Sequence, residues 1–480
     1  MLFAEGDSLV TVLLTKSLMA GEPQDWAMSP ALFIPETAVY AGLSAIGLGV
    51  RETLTMNVWV NFLALYAAIR VVSGSRRHSR NPVFGAVLAF SAFCLLALLD
   101  GGEGRTGFQL ASELAMTTHY SATVIGAVLL FGLARRFLDT TATDIRSWRW
   151  GFLAICLTSF ISTLSNPLFA AWATLPVIGV LLTLRWGRLL TWRPVGLIAV
   201  ATVGGSSLGM LARVPLSEWI VAESRYYFRI ERWPISLEHY RSLVTETSQT
   251  PTGAASLLLM AALWVVSGVV AVLLARRRAS VPAFVAVSAV LVPAIVLFGM
   301  VLMGTESSRY LQPFAFMPPL TLTLASLFWS KSTASPLTVP RWILVGISSA
   351  VALSLLFWSL PRAVQEATRT DPDLACVVSW VNTTDRFGAG QFWTARAPKA
   401  YLNNPPSIVQ VDHQFNIYTW LTNRTDSVDA DVTFVITDSM SYPFEYPQGI
   451  SENSATTINC GRYTIHDFGQ RTIPLGFSWP

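Results

Sequence analysis

The chain has 480 residues, of which 52% are hydrophobic and 13% charged, with a formal net charge of +4 at pH 7. Soluble domains carry about 25% charged residues, so this composition, with a mean hydropathy of +0.48, excludes an ordinary soluble globular protein. The small positive excess falls in short loops between apolar runs, which makes it a topology signal and excludes a nucleic-acid partner.

The opening segment, residues 1–53, contains EGDSLVTVLLTKSLMAGEPQDW. Its apolar stretch from Ser8 to Ala20 is shorter than the roughly 20 residues a bilayer requires. It is expected to form an interfacial helix with Gly6 or Asp7 at its N-terminus. Apolar runs of spanning length follow near 54–72, 82–100, 118–136, 150–166, 168–184, 195–213, 254–275, 281–303, 311–330 and 342–360. The pair around Asn166-Pro167 is short, and its SNP link reads either as a tight turn between two spans or as a break inside one re-entrant unit. These runs predict a polytopic α-helical membrane domain of about ten spans over 54–360.

Residues 361–480 differ in character. The turn formers NTTD, GAG and NNPP and the alternating runs SIVQVD, DVTFVITD and GRYTIHDF predict a small α/β or mainly β domain. Lys and Arg collect in alternate loops: RVVSGSRRHSR, ARRFLDTTATDIRSWR, RWGRLLTWR, ARRRAS and SKSTASPLTVPR. That pattern places these loops in the cytoplasm and puts residues 1–53, the loop 214–253, MGTESSRY and the C-terminal domain outside. An outer N-terminus either stands without a preceding span or implies a further helix upstream of residue 1; the second is the expectation. Cys376 and Cys460, near the two ends of the C-terminal domain on the oxidising side, are expected to pair. Cys94 and Cys156 fall inside spans and read as packed thiols. The NTT and NRT triplets at Asn382 and Asn423 match the glycosylation pattern at close to chance frequency.

The middles of the predicted spans contain no ionisable residue, which argues against proton or ion coupling. Carboxylates crowd the outer face instead, among them Glu5, Asp7, Asp25, Glu113 and Glu306. A carboxylate there is suited to take a proton from an acceptor hydroxyl, and an Arg to neutralise a departing phosphate through its planar fork. Arg309-Tyr310, closing GTESSRYLQPF just before a span, supplies such a cation.

An acidic residue, an outer amphipathic helix, many spans, an outer Arg-Tyr before a late span and a C-terminal extracytoplasmic domain, in that order, resemble the GT-C class. These are membrane glycosyltransferases that use polyprenyl-phosphate-linked sugars. The stretch EGDSLVTVLLTKSLMAGEPQDWAMSPALFIPETAVY is similar to their first outer loop, and HYSATVIGAVLLFGLARRF and SSRYLQPF are similar to segments of bacterial members. GAGQFWTARAPKAYLNNPPSIVQVDHQFNIYTWLTN resembles the soluble domains of some uncharacterised bacterial relatives. Members carry their acidic residue just after the first span, a span this sequence does not contain. The resemblance implies transfer of a sugar from a polyprenyl-phosphate donor to an envelope glycan, lipid or protein at the outer membrane face.

Asp7 is then the candidate base, with Glu5 second; the competing readings are a helix N-cap for Asp7 and a solvated terminal carboxylate for Glu5. Asp25 reads as a contact to acceptor or metal, or as a turn beside an interfacial Trp. Arg309 is the candidate ligand of the lipid phosphate, against an interfacial Arg that holds headgroups or pairs with Glu306. Tyr310, Glu306 and His119 complete the substrate-binding candidates, with interfacial anchoring, pairing and packing as their alternatives. Asp412-His413 and Trp393 suggest a metal or a sugar-stacking platform only weakly. No His/Cys cluster with metal spacing, phosphate-cradling Gly loop or GxSxG elbow occurs. Two aligned acids are able to hold a divalent cation with substrate phosphates, so metal dependence stays open. Two other classes compete: a transporter or flippase of a lipid-linked substrate, and a non-catalytic membrane scaffold.

Overall fold

The computed structural model describes residues 2–74, 81–100, 108–139, 145–221, 229–325, 361–428 and 430–479, with isolated positions at 327, 343, 346, 350 and 354. The chain divides into two compact units. A helical unit comprises Trp59–Val214 and Glu223–Leu360, and a sheet unit comprises Met1–Val58, Pro215–Ala222 and Pro361–Pro480.

Among the described residues, six helices are long and apolar enough to cross a membrane: Val50–Val72, Pro82–Leu99, Ser121–Asp139, Trp192–Leu211, Pro251–Arg276 and Ser280–Leu302. With 18 to 26 residues each and a rise of about 1.5 Å per residue, they match a hydrocarbon core about 30 Å thick. Their starts follow local chemistry. Pro82 and Pro251 occupy the first turn, where a missing N–H costs nothing, and the Thr250 side chain caps Gly253 N at 3.1 Å.

The helix Ile145–Ser165 ends at Asn166, whose Oδ1 accepts from Leu168 N at 3.0 Å while its Nδ2 donates to Thr123 Oγ1. The chain then re-enters as a π-helical turn, Ala170–Thr174, that runs into Leu175–Trp186. The SNP link is thus a side-chain-stabilised turn between two helical segments. Helix Trp192–Leu211 packs closely on Ile145–Ser165 through Gly205 and Gly209. A Cβ on either would come within 2.3 Å of Cys156 O or 2.6 Å of Phe160 O, so the spacing of small residues sets the approach of the two backbones.

The run expected as a span at 311–330 is different. Through Leu324 it is a chain of short turns, Ser308–Leu311, Pro313–Phe316 and Pro318–Leu324. Pro313, Pro318 and Pro319 each remove an amide donor and crowd the preceding turn, and three within seven residues disfavour one continuous α-helix. The run at 342–360 lies outside the described residues apart from isolated positions.

In the sheet unit, a mixed seven-stranded sheet has the order β7-β8-β6-β2-β3-β4-β9. Here β2 is Phe387–Gln391, β3 Ile408–Val411, β4 Ile417–Tyr418, β6 Val432–Thr437, β7 Thr456–Cys460, β8 Tyr463–Asp467 and β9 Ser478–Trp479. The alternating runs expected as strands are β3, β6 and β8. The GAG triplet, expected as a turn, instead forms the centre of β2, parallel to both β3 and β6. The reason is steric: a Cβ at Gly388 would lie 2.0 Å from the Phe434 ring, so glycine makes room for a buried aromatic on the neighbouring strand. One face packs Val409, Val411, Phe415, Val435 and Phe468.

The helix Phe392–Tyr401 connects β2 to β3, and Pro372–Thr384 is tied to the end of β7 by the Cys376–Cys460 disulfide, with Cα atoms 5.5 Å apart. The N-terminal segment belongs to this unit. Its strand β1, Trp26–Ala27, pairs antiparallel with β5, Thr422–Asn423, and Met28 bridges Ile220. The helix Val10–Ala20 forms as expected and ends at Gly21 in the left-handed conformation. It does not present one face outward, however: Val10 through Thr15 are all buried, so tertiary packing covers every side of its first turns. Asn423 is also buried, held by Asp25 N and Pro23 O, which rules out its NRT triplet as an accessible glycosylation site.

Candidate functional site

The candidate residues fall into two clusters, one in each unit. In the sheet unit, Asp7 is half-buried in the 3-10 turn Asp7–Leu9. The expected capping role falls to Glu5, whose Oε2 accepts from Ser8 N at 2.8 Å. Glu5 is 6% exposed, so it is a buried structural acid and not a solvated terminal one. Gly6 between them lies against helix Phe392–Tyr401; a Cβ there would come within 3.0 Å of the Phe392 and Trp393 rings.

That helix buries two cations. Arg396 is 0% exposed; its Nε donates to Gly6 O at 3.2 Å and its Nη1 to Leu421 O at 2.7 Å. Its Nη2 is buried and has no hydrogen-bond partner among the described residues. Burial pulls the Arg396 pKa down to about 10, while Asp7, Asp426 and Glu5 act to keep the guanidinium charged. Lys399, 2% exposed, pairs with Asp426 at 2.6 Å and donates to Ile408 O at 2.9 Å. Burial pushes the Tyr418 phenol up, and the charge of Asp7 adds to this. Asp25 is engaged elsewhere: it pairs with Arg424 at 2.6 Å beside the β1–β5 strand pair. Its partner is thus a structural cation, and the adjoining Trp26 is a core residue at 2% exposure.

In the helical unit, Gln312 joins Glu113 to His119. Its Nε2 donates to Glu113 Oε2 at 2.6 Å and to the His119 carbonyl at 3.0 Å. His119 Nδ1 lies 3.7 Å from Glu113 Oε1. Tyr310 stacks on Tyr120 with ring centroids 6.3 Å apart, and Trp172 Nε1 donates to the Tyr310 carbonyl at 3.0 Å. Arg309 is half-buried on the same turn, Ser308–Leu311. Glu306 does not depend on Arg309 for a counterion, because it pairs with Arg232 at 2.5 Å. Tyr310 and Arg309 thus lie on the turn that precedes Gln312, and Gln312 ties Glu113 to the His119 carbonyl, a link that nothing in the sequence signalled. Gln312 was unmarked because its role depends on a partner about 200 positions away.

Arg396 and Lys399 were equally missed, although FWTARAPKAY offered a signal: two cations three residues apart in a helix whose remaining residues are apolar or small. Asp412 shapes its own loop, accepting from Gln414 N, Asn416 N and Trp479 Nε1. Among the described residues, no three His, Cys, Asp or Glu side chains form a group able to hold a metal ion.

No family model matches this sequence, and no curated protein does. The solved structures include a match across almost the whole chain: the crystal structure of ArnT from Cupriavidus metallidurans bound to undecaprenyl phosphate. The match covers 96% of this chain and 93% of that one, with a TM-score of 0.56. The fold is ArnT-like. At 12% identity the likeness concerns the path of the backbone: a helical membrane domain and a C-terminal sheet domain, as the order of sequence features implied.

Proposed function

We propose that this protein transfers a sugar from a polyprenyl-phosphate donor to a hydroxyl group of an envelope glycan, lipid or protein at the outer membrane face. The observation that carries this reading is the ArnT-like fold over 96% of the chain, in a neighbour that holds undecaprenyl phosphate. In the transfer, the acceptor oxygen forms a bond to the anomeric carbon as the bond from that carbon to the lipid phosphate breaks. Negative charge grows on the departing phosphate, and a proton must leave the acceptor oxygen. Arg309 is the phosphate ligand in this scheme, since a guanidinium fork matches phosphate geometry. Asp7 is the base that takes the proton, and Tyr310 and His119 line the donor. A lipid-linked donor suits a site away from nucleotide sugars, and the Cys376–Cys460 bridge suits an oxidising compartment.

The test is label transfer by the purified protein from radiolabelled polyprenyl-phosphate sugars to envelope extract. Transfer by the parent chain is expected, falling by about 100-fold or more in Asp7→Asn and in Arg309→Ala. Full activity in both variants would overturn the site, and absence of transfer by folded parent protein with every donor would overturn the function.

A further inference from the structure

We infer that Arg70, Arg135 and Arg136 form a binding site for the phosphate headgroup of an anionic phospholipid, where two spanning helices of the helical unit end together. The three guanidiniums gather on residues 71–74, at the close of helix Val50–Val72. Arg70 Nη1 donates to Gly74 O at 2.8 Å and to Ser73 Oγ at 3.1 Å. From helix Ser121–Asp139, Arg135 Nη1 donates to Val72 O, and Arg136 Nε donates to Val71 O at 3.3 Å. Gly74 has a φ of +83°, and a Cβ there would lie 3.1 Å from Arg135 Nη2. A glycine at this position both makes the turn and admits the guanidinium.

Capping of the helix end does not account for three charges. The carbonyls of a helix C-terminus carry about −0.5 of an elementary charge together, and Asp139, further along the second helix, adds one carboxylate. About one and a half positive charges are left over. Arg135 is 3% exposed, so water screens its charge poorly. Its Nε is buried without a hydrogen-bond partner, and neither Arg135 nor Arg70 makes an ion pair among the described residues. By sequence, the segment SRRHSR that follows Gly74 holds three Arg and no carboxylate, so it adds to the excess. A phosphodiester meets the demand, with one negative charge and oxygens that accept from guanidinium forks. The setting favours a lipid over free phosphate. Beside Arg136, the Phe137 ring lies 6.2 Å from that of Trp148, and Trp150 on the same helix is exposed, the aromatic mark of the headgroup level. Arg136 is exposed and Arg70 half-buried, so a headgroup can reach both. The loop charge bias puts this end at the cytoplasmic leaflet, where anionic lipid resides.

The experiment titrates the full-length protein in non-ionic detergent with phosphatidylglycerol or phosphatidylcholine of equal chain length, and counts bound lipid by native mass spectrometry. The parent should hold phosphatidylglycerol about tenfold or more tighter than phosphatidylcholine. Arg136→Gln should weaken phosphatidylglycerol by about fivefold and leave phosphatidylcholine unchanged; adding Arg70→Gln should weaken it further. Arg193→Gln, which removes an exposed Arg at the start of helix Trp192–Leu211, should keep both parent affinities. Equal affinity for the two lipids in the folded parent would overturn the inference. So would an effect of Arg136→Gln no larger than that of Arg193→Gln. Inorganic phosphate is the third probe: if it displaces phosphatidylglycerol at the lipid's own concentration, the cluster takes free phosphate and the lipid assignment falls, whereas retained lipid supports it. Arg136 is exposed, so its variant decides the matter even if Arg70→Gln does not fold. None of these readouts requires sugar transfer, so the outcome is independent of the proposed reaction.

Discussion

Arg386 grips Asp467 with two parallel bonds, Nη1 to Oδ1 at 2.8 Å and Nη2 to Oδ2 at 2.9 Å, and donates again to Gly469 O. This pairing holds the Asp467 carboxyl below its usual range. A folded pKa below the unfolded one adds stability that is complete above the unfolded value of about 3.9 and disappears as pH falls through the folded value. The sheet unit should therefore lose stability below about pH 4, and Asp467→Asn should flatten that acid limb. The same variant should cost about 1–2 kcal/mol at neutral pH, read as a lower denaturation midpoint. Gly388 makes a second prediction at this scale. Its Cβ would meet the Phe434 ring, which also stands edge-on to Trp380 with centroids 4.9 Å apart, so Gly388→Ala should cost about 1–3 kcal/mol.

Among the elements, the pair Ile145–Ser165 and Trp192–Leu211 depends on backbones meeting at Gly205 and Gly209. No rotamer relieves a Cβ that strikes a carbonyl oxygen, so Gly205→Leu must push the helices apart. A lower melting temperature in detergent is expected, while substitution at Gly196, where an added Cβ meets nothing within 4 Å, should leave it unchanged. Helix Phe392–Tyr401 shows the opposite economy: it buries Arg396 and Lys399 by giving them carbonyls and a carboxylate in place of water. Replacing Lys399 alone would strand Asp426, and Lys399→Met should destabilise the sheet unit by about 3–5 kcal/mol.

For the whole molecule, the sheet unit is assembled from both chain ends. Strand β1 pairs with β5 across some 400 positions, and Arg424 N donates to Asp25 O at 2.8 Å. A chain lacking residues 2–28 should therefore show rapid proteolysis in 361–480, where the intact chain resists. The disulfide joins residues 84 positions apart, which by chain-entropy arguments is worth about 4.5 kcal/mol. Cys376→Ser should lower the thermal midpoint of this unit, and reductant should have the same effect on the parent.

The sequence by itself determined the membrane class, the helical spans and the three alternating strands, because hydrophobic length and period are local properties of the chain. It also pointed to the Cys376–Cys460 pair, through position and compartment. The run after Arg309 has the hydropathy of a span, but through Leu324 it is a chain of short turns, which Pro313, Pro318 and Pro319 favour over a continuous helix. Only the tertiary structure decided that GAG is a central strand, since its glycines answer to a ring on another strand. The same holds for Glu5 as the cap in place of Asp7, for the burial of the helix Val10–Ala20, and for the membership of residues 1–58 in the sheet unit. Arg396 at Gly6, Gln312 between Glu113 and His119, and Arg232 on Glu306 are likewise contacts between distant segments. Their partners are chosen by packing, which fixes neighbours in space that no local pattern along the chain encodes.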